Sequence, residues 1–557
     1  MAEIVTALDR SLHTGENGHQ HRPWGEKASG SEQEFETELS DLYFQLVRGS
    51  ECFADTCYHP AVGAYGRLVD KHHLDLVKRQ YLLSLLVQTR DLAGGKGEYA
   101  LFHAMLRAWS EHWNEYEHQL RPLLKLNFTT EGTDFTHPYG SWKDVKYYLQ
   151  THGNSDSADQ DPIARYLAAL MVQQIRADSA APAEQAISLA GRWAPRESDR
   201  KFGWQARYIA PMLSPGKGSL RTWRRTIASL NKRLGTVQVL QCDKNWRSIE
   251  FPGSITSITR ARQHKAFMCE GKNKAAADDS DRQACKTNYT DYVAKCAAGT
   301  EKMVSKRLDL GEMVKTALSA QPGSLDADAV NAAWRDQSDA STPLDDFIVM
   351  CDTSASMTWE NAPYHNAIGI ALRIAERSSL GRRVMTFSSQ PSWIDLTEAK
   401  DLTSMAPLVA SGRACTSTNF YAGLKLIADA CVANQMPADR VSRLSLVVLS
   451  DMQINDADKR FVTMEAGIRD YFTEAGLKAV GHPYTPPTIV YWNMRTTKGM
   501  PTESHNSEGT VTISGYSVDV LDCLLGGDVN SLSTFTPWRT VDRTLSAQRY
   551  SWFWNGW

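Results

Sequence analysis

The stretch Phe347-Ile-Val-Met-Cys-Asp-Thr-Ser-Ala-Ser-Met357 sets the reading of the whole chain. Four apolar residues and a Cys make a short buried strand, too brief for a helix. The strand runs into Asp352-x-Ser354-x-Ser356, one carboxylate and two hydroxyls at alternate positions of a tight loop. Oxygen ligands, few charges and room for retained water are what a hard divalent cation requires. Downstream, Thr418 lies in a Gly/Ser/Thr-rich loop, and Asp451 directly follows a second apolar strand, Leu444-Ser-Leu-Val-Val-Leu-Ser450.

Asp-x-Ser-x-Ser, then a loop Thr, then a strand-end Asp resembles the metal-ion-dependent adhesion site of von Willebrand factor A domains. A lone Asp-x-Ser-x-Ser is more often a capping turn; the full ordered set points to a metal site. The expected ligands are Asp352, Ser354, Ser356, Thr418 and Asp451, holding Mg²⁺ or another divalent cation directly or through water. One open coordination position then accepts a carboxylate from a partner or a neighbouring subunit.

Around this stretch, strands alternate with helices. Strands are expected at 347–351, 383–387, 444–449, 488–492 and 510–513, and helices at 364–378, 419–433, 461–475 and 517–525. That alternation predicts a doubly wound parallel sheet whose ligand crevice lies at the carboxyl ends of its strands. Asp352 and Asp451 both fall at such ends.

Composition bounds the rest. A chain of 557 residues exceeds one ordinary domain. With 22% charged and 42% hydrophobic residues it is globular, and a net charge of −3 confines any nucleic-acid site to a local patch. Ten Cys without short regular spacing fit a reducing cytosol, and Cys351 reads as a small buried hydrophobe. No signal peptide and no membrane span is recognisable, so the expected location is cytoplasmic.

Residues 1–33 are polar and Gly/His-rich and read as a flexible arm, or as a segment ordered by a partner. Helical periodicity begins at Glu34 and sets an expected helical domain at 34–343. Cys52, Cys57, His59 and the His72-His73 pair lack zinc-knuckle spacing and are read as ordinary helix packing. Arg90-Asp-Leu-Ala-Gly-Gly-Lys-Gly-Glu98 lacks the phosphate-loop pattern and is read as a helix–helix corner. Successive helices with short turns suggest a HEAT-like array of helical pairs, without a strict repeat period. A linker at Ser338–Pro343 separates this domain from an α/β domain at 344–530. An aromatic tail is expected at 531–557; the four aromatic side chains among its last six residues are read as covering the sheet edge, the alternative being an exposed docking patch.

Residues 186–235 carry eleven Lys/Arg against Glu197 and Asp199, a local charge of +9. Trp193, Phe202, Trp204, Tyr208 and Trp223 are interleaved. Cationic side chains neutralise phosphates and planar ones stack on unpaired bases; the alternative is a solvated helical face with its Trp residues in the core. The candidate RNA-binding residues are Arg192, Arg196, Arg200, Lys201, Arg207, Arg221, Arg224 and Arg225.

Several segments together resemble the DUF2828 family, related to the TROVE-domain Ro ribonucleoproteins. They are Arg90–Glu98, Tyr139-Gly-Ser-Trp-Lys-Asp144, Lys201-Phe-Gly-Trp204, Leu230-Asn-Lys-Arg-Leu234, Trp246-Arg-Ser-Ile-Glu250, Ser450-Asp-Met-Gln453, Val490-Tyr-Trp-Asn493 and Ser514-Gly-Tyr516. The resemblance implies a ring of helical repeats that binds RNA, followed by a von Willebrand A module carrying the metal site. A sequence pI of 6.6 is less basic than such proteins imply.

The leading expectation is therefore a non-enzymatic RNA-binding protein with a metal site for carboxylate-bearing partners. The rival is a protein-interaction or assembly component, as in a phage or other multi-subunit particle, with oligomerisation through arm and tail. An enzyme is disfavoured, because no His or Lys near the metal residues reads as a base.

Overall fold

A computed structural model describes residues 13–14, 20–23, 32–48, 59–253, 255–276, 278–338, 343–344, 346–358, 362–387, 391–412, 420–452, 464–496, 499–502, 504–517, 520–522 and 529–551. The chain divides into two compact units. One comprises Met1–Ser50, His59–Ala64 and Leu308–Ala547; the other comprises Glu51–Tyr58, Tyr65–Arg307 and Gln548–Trp557. The architecture is α plus α/β, as expected.

The first unit is built on a six-stranded mixed sheet. Its strands are β1 (Phe347–Asp352), β2 (Arg383–Phe387), β3 (Ser392–Asp395), β4 (Ser445–Ser450), β5 (Thr488–Asn493) and β6 (Thr510–Ser514). The spatial order is β3-β2-β1-β4-β5-β6. All neighbours run parallel except β2 and β3. Every residue of β1, β4, β5 and β6 is buried, as a sheet covered on both faces requires. On one face Ile348, Met350, Leu446, Val448 and Tyr491 join Phe420, Leu424 and Ile427 of helix Phe420–Ala433 and Phe472 of helix Met464–Val480. The edge strand β3 was not foreseen: three of its four residues are exposed, so it carries no apolar run.

The domain boundary differs from the expected one. Helices Leu310–Ser319 and Leu325–Ser338 belong to the α/β unit. Leu310–Ser319 lies so close to helix Ala362–Arg377 that a Cβ on Gly369 would sit 2.8 Å from Leu310 Cβ, and one on Gly311 would sit 2.5 Å from Asn366 Nδ2. Gly311 N–H donates to Asn366 Oδ1 at 3.1 Å in the same contact. Two glycines make this backbone approach, and with it the unit's extent.

Helix Glu32–Gln45 also belongs here rather than to the helical domain. A helix end leaves its last carbonyls without intrahelical donors. Strand-end side chains supply them: Ser514 Oγ donates to Tyr43 O at 2.9 Å, Asn493 Nδ2 to Phe44 O at 3.0 Å, and Thr496 Oγ1 to Gln45 O at 2.9 Å. Helix Pro537–Leu545, expected in the tail, packs beside this helix and β6. The arm also contributes structure: strands His13–Thr14 and Gln20–Pro23 pair antiparallel, and the second pairs with Gly499–Met500.

The second unit is helical. Its punctuation follows capping chemistry: Asp75 caps helix Leu76–Arg90 through Lys78 N–H, and Asp161 caps Pro162–Ala180 through Ile163 N–H with Pro162 opening the helix. The Gly-rich segment after Arg90 is a corner between Leu76–Arg90 and Tyr99–Leu106, as expected. A buried ion pair stabilises it. Arg90 Nη2 donates to Asp144 Oδ2 at 2.8 Å, with His103 Nε2 3.2 Å from Asp144 Oδ1. Gly140 permits this, since a Cβ there would meet Asp144 Oδ2 at 2.4 Å. The described end of the tail docks here. Arg549 Nη2 donates to Asp91 Oδ1 at 2.7 Å and Tyr550 OH to Asp91 Oδ2 at 2.8 Å. Trp552, Phe553, Trp554 and Trp557 lie outside the described residues. Among the described residues, no helix is long and apolar enough to cross a membrane.

Candidate metal centre and basic groove

In the α/β unit the chain runs from β1 through β2 to β3 on one side of the sheet, then returns to place β4 on the other side of β1. The carboxyl ends of β1 and β4 therefore flank the switch point, where such sheets bind ligands. Asp352 ends β1 and Asp451 follows the last residue of β4, and both are fully buried.

The loop after β1 is held by hydrogen bonds. Asp352 Oδ1 accepts from Ser354 N–H at 2.8 Å, and Ser354 Oγ lies 3.0 Å from Ser356 Oγ. Thr353 Oγ1 donates to Gly412 O at 2.8 Å, pinning the loop from behind. Asp352 Oδ2 accepts from Ser450 Oγ at 2.6 Å. Met452, in the left-handed region with φ of 60°, donates its N–H to Ser450 Oγ at 3.1 Å. Burial, and then the charge of Asp451, push the Asp352 carboxyl well above the usual carboxylate range. Arg495 Nη2 stands 3.6 Å from Asp451 Oδ2, a cation at the rim.

Two buried carboxylates at adjacent strand ends, with two hydroxyls in the same loop, form a hard-oxygen donor set. Asp352, Ser354, Ser356 and Asp451 are all at this end of the sheet. Thr418 lies outside the described residues. Ser450 was missed by sequence reasoning. Counting both strands from their apolar runs to their carboxylates would have found it, because it stands beside Asp352 across the β1–β4 pair.

In the helical unit the basic residues split. Arg196, Arg207 and Arg224 line an open cavity of about 780 Å³ together with Lys232. Glu197 and Asp243 line it too, and Glu197 Oε2 is 3.5 Å from Arg224 Nε. Arg200, Lys201, Arg221 and Arg225 are exposed but do not line it, and Arg192 is half-buried against Trp193. Of the aromatic residues, Phe202 and Trp223 are buried, the latter donating Nε1–H to Pro195 O at 2.9 Å. They are core residues and are not available to stack on bases.

Of the Cys/His residues near the N-terminus, Cys52 and Cys57 lie outside the described residues. His59 Nε2 is 3.1 Å from Val47 O and 2.9 Å from Thr496 Oγ1.

The α/β part is similar to a family described as a domain of unknown function, DUF7788, whose model matches residues 346–543. An uncharacterized protein of Acanthamoeba polyphaga mimivirus is 27% identical over 469 residues, covering 80% of this chain and 76% of the viral one. These matches overturn the resemblance to DUF2828 and the Ro ribonucleoproteins. The segments that suggested it do structural work: Arg90 and Asp144 pair in a buried corner, Asn231 Nδ2 bonds Gly191 O at 2.8 Å, and Trp492 Nε1 bonds Gly515 O at 2.8 Å. Short runs of this kind meet general packing needs and do not single out a family.

Proposed function

We propose that the α/β unit is a divalent-cation module that docks a carboxylate-bearing partner. The observation that carries this reading is the pair Asp352 and Asp451, fully buried at the switch point beside the Ser354 and Ser356 hydroxyls. Burying a carboxylate costs several kcal/mol, and burying two together adds their repulsion, which a bound Mg²⁺ offsets. The strand order, with its antiparallel edge strand, is consistent with a von Willebrand A-like topology. The helical unit is read with it as a HEAT-like array serving as scaffold. On this reading the protein is a binding component, as of a multi-subunit particle, and not an enzyme. Titration of metal-free protein with MnCl₂, followed by calorimetry, tests it. One equivalent bound by the native chain and lost in Asp352→Ala is expected; equal binding by both chains overturns it. Steady turnover of RNA or nucleotide, lost in Asp451→Ala, would overturn the non-enzymatic part.

A second reading is RNA binding by the helical unit, supported by the convergence of Arg196, Arg207 and Arg224 on one cavity. Cations at phosphates make affinity fall with salt, by a slope of about 0.7 per contact on single strands. Fluorescence anisotropy with a single-stranded RNA oligomer should show that slope. It should flatten when Arg196, Arg207 and Arg224 are changed to Ala; an unchanged slope removes the reading.

A further inference from the structure

The helical unit brings together a second set of metal-type side chains, chemically unlike the oxygen donors of the sheet. His73 follows the helix that ends at His72, and His112 and Glu115 stand at the start of helix Trp113–Lys125. The two imidazole centroids are 4.0 Å apart, and His73 Nδ1 is 3.7 Å from Glu115 Oε2. One ligand atom from each of the three residues lies within 4.8 Å of the other two. Nitrogen and oxygen ligands about 2.0–2.1 Å from a tetrahedral Zn²⁺ stand roughly 3.4 Å apart. The set is open by a little more than that. Glu115, with its side chain 57% exposed, has the freedom to close it.

The surroundings orient the two imidazoles. His112 Nε2 lies 3.3 Å from Asp70 Oδ1, and Trp109 meets the His112 ring edge-on. Tyr116 OH lies 3.3 Å from His73 Nδ1, the atom that faces Glu115, so a bound metal would take its place. The Arg79 guanidinium, stacked 4.5 Å from the Tyr116 ring centroid, donates to His73 O at 2.5 Å and holds the His73 backbone. With Asp70 on Nε2, His112 would ligate through Nδ1. A carboxylate on the other nitrogen of a ligating imidazole is the usual outer shell of a zinc centre, where it fixes ring orientation and raises basicity. The His73 and His112 side chains are only 16% and 15% exposed, whereas Glu115 faces solvent. The set is therefore embedded on its imidazole side and accessible on its carboxylate side.

We propose that His73, His112 and Glu115 form a zinc site, with Asp70 orienting His112 and a fourth position open to water. Two imidazoles and one carboxylate favour Zn²⁺ over the Mg²⁺ or Ca²⁺ that an all-oxygen set takes. The site is independent of the metal centre proposed for the α/β unit, and the two are separable by experiment.

The test is titration of chelator-stripped full-length protein with ZnCl₂ against a chromophoric indicator, with MgCl₂ in excess to saturate the oxygen site. One equivalent of zinc is expected, with Co²⁺ giving the visible absorption of a tetrahedral centre. His73→Ala and His112→Ala should each lose the equivalent, and Asp70→Asn should weaken binding by about 10- to 100-fold. Asp352→Ala should leave zinc binding unchanged. If either His variant fails to fold by circular dichroism, Glu115→Gln and Asp70→Asn carry the test from the surface. No stoichiometric zinc in the native chain, or equal zinc in every variant, overturns the proposal.

Discussion

Ser450 Oγ donates a 2.6 Å hydrogen bond to Asp352 Oδ2, joining the end of β4 to the end of β1. The same hydroxyl accepts from Met452 N–H at 3.1 Å, so it also shapes the turn that carries Asp451. One serine thus sets the relative position of both buried carboxylates. Neither carboxylate is placed by the loop alone.

Ser450→Ala should therefore affect the site more than the fold. Loss of its two buried hydrogen bonds costs about 1–3 kcal/mol of stability. Loss of an outer-shell partner should weaken Mn²⁺ binding by about 10- to 100-fold. Calorimetric titration beside a thermal melt separates the two effects. A melt shifted by the expected amount with unchanged Mn²⁺ affinity would deny Ser450 its positioning role.

Metal should stabilise the native chain, because only the folded state assembles the donors. At 100 times its Kd a ligand adds about 2.7 kcal/mol. Asp451→Asn removes one of two like charges buried together, so its metal-free melting temperature should equal or exceed that of the native chain. Its gain on adding MgCl₂ should vanish. A Mg²⁺-dependent shift of undiminished size in Asp451→Asn would place the cation elsewhere.

The approach of helix Leu310–Ser319 to helix Ala362–Arg377 gives a contrast between glycines. A Cβ on Gly369 meets Leu310 Cβ at 2.8 Å with Leu310 backbone at 3.4 Å, so the helices must separate. Gly369→Ala should destabilise by about 1–3 kcal/mol, the range for overpacking. At Gly423 the nearest obstacle is the terminal methyl of Met350, a flexible end that moves aside. Gly423→Ala should cost less, and urea melts of the two variants decide the order.

The sheet was legible because its central strands, β1 and β4, are continuous apolar runs with a polar stop, and the remaining expected strands followed from their alternation with helices. The carboxylates were legible for the same reason, since a charged residue directly after such a run sits at a strand end. Helix Glu32–Gln45 was recognised as a helix but assigned to the wrong unit. It is joined to the sheet by backbone carbonyls and by the single side chains Ser514, Asn493 and Thr496, which leave no periodic signal. Helix Leu310–Ser319 was misassigned because the two glycines that let it approach mean nothing until their neighbours are known. His73 and His112 are far apart in sequence, so spacing rules built for short metal motifs could not join them.

Asp161 gives a pH test in the helical unit that owes nothing to metal. Its Oδ1 accepts from Ser110 Oγ at 2.8 Å and Ile163 N–H at 2.8 Å, and its Oδ2 accepts from Tyr148 OH at 2.7 Å with His152 Nε2 3.0 Å away. Burial alone would raise its pKa, but these donors outweigh burial and hold it at about 2. An unfolded Asp titrates near 3.9, so the folded carboxylate contributes about 2 kcal/mol above that pH. The sign follows from the direction: the folded pKa is depressed, so the contribution is complete above about pH 4 and fades as the pH falls toward 2. Asp161→Asn should lower stability at pH 7 and flatten the acid limb of the curve, because Asn cannot titrate. Melts of both chains across pH 2 to 7 measure this. Parallel curves with the native acid slope retained in Asp161→Asn would assign that slope to other groups, with the buried Asp144 beside Arg90 the next to change.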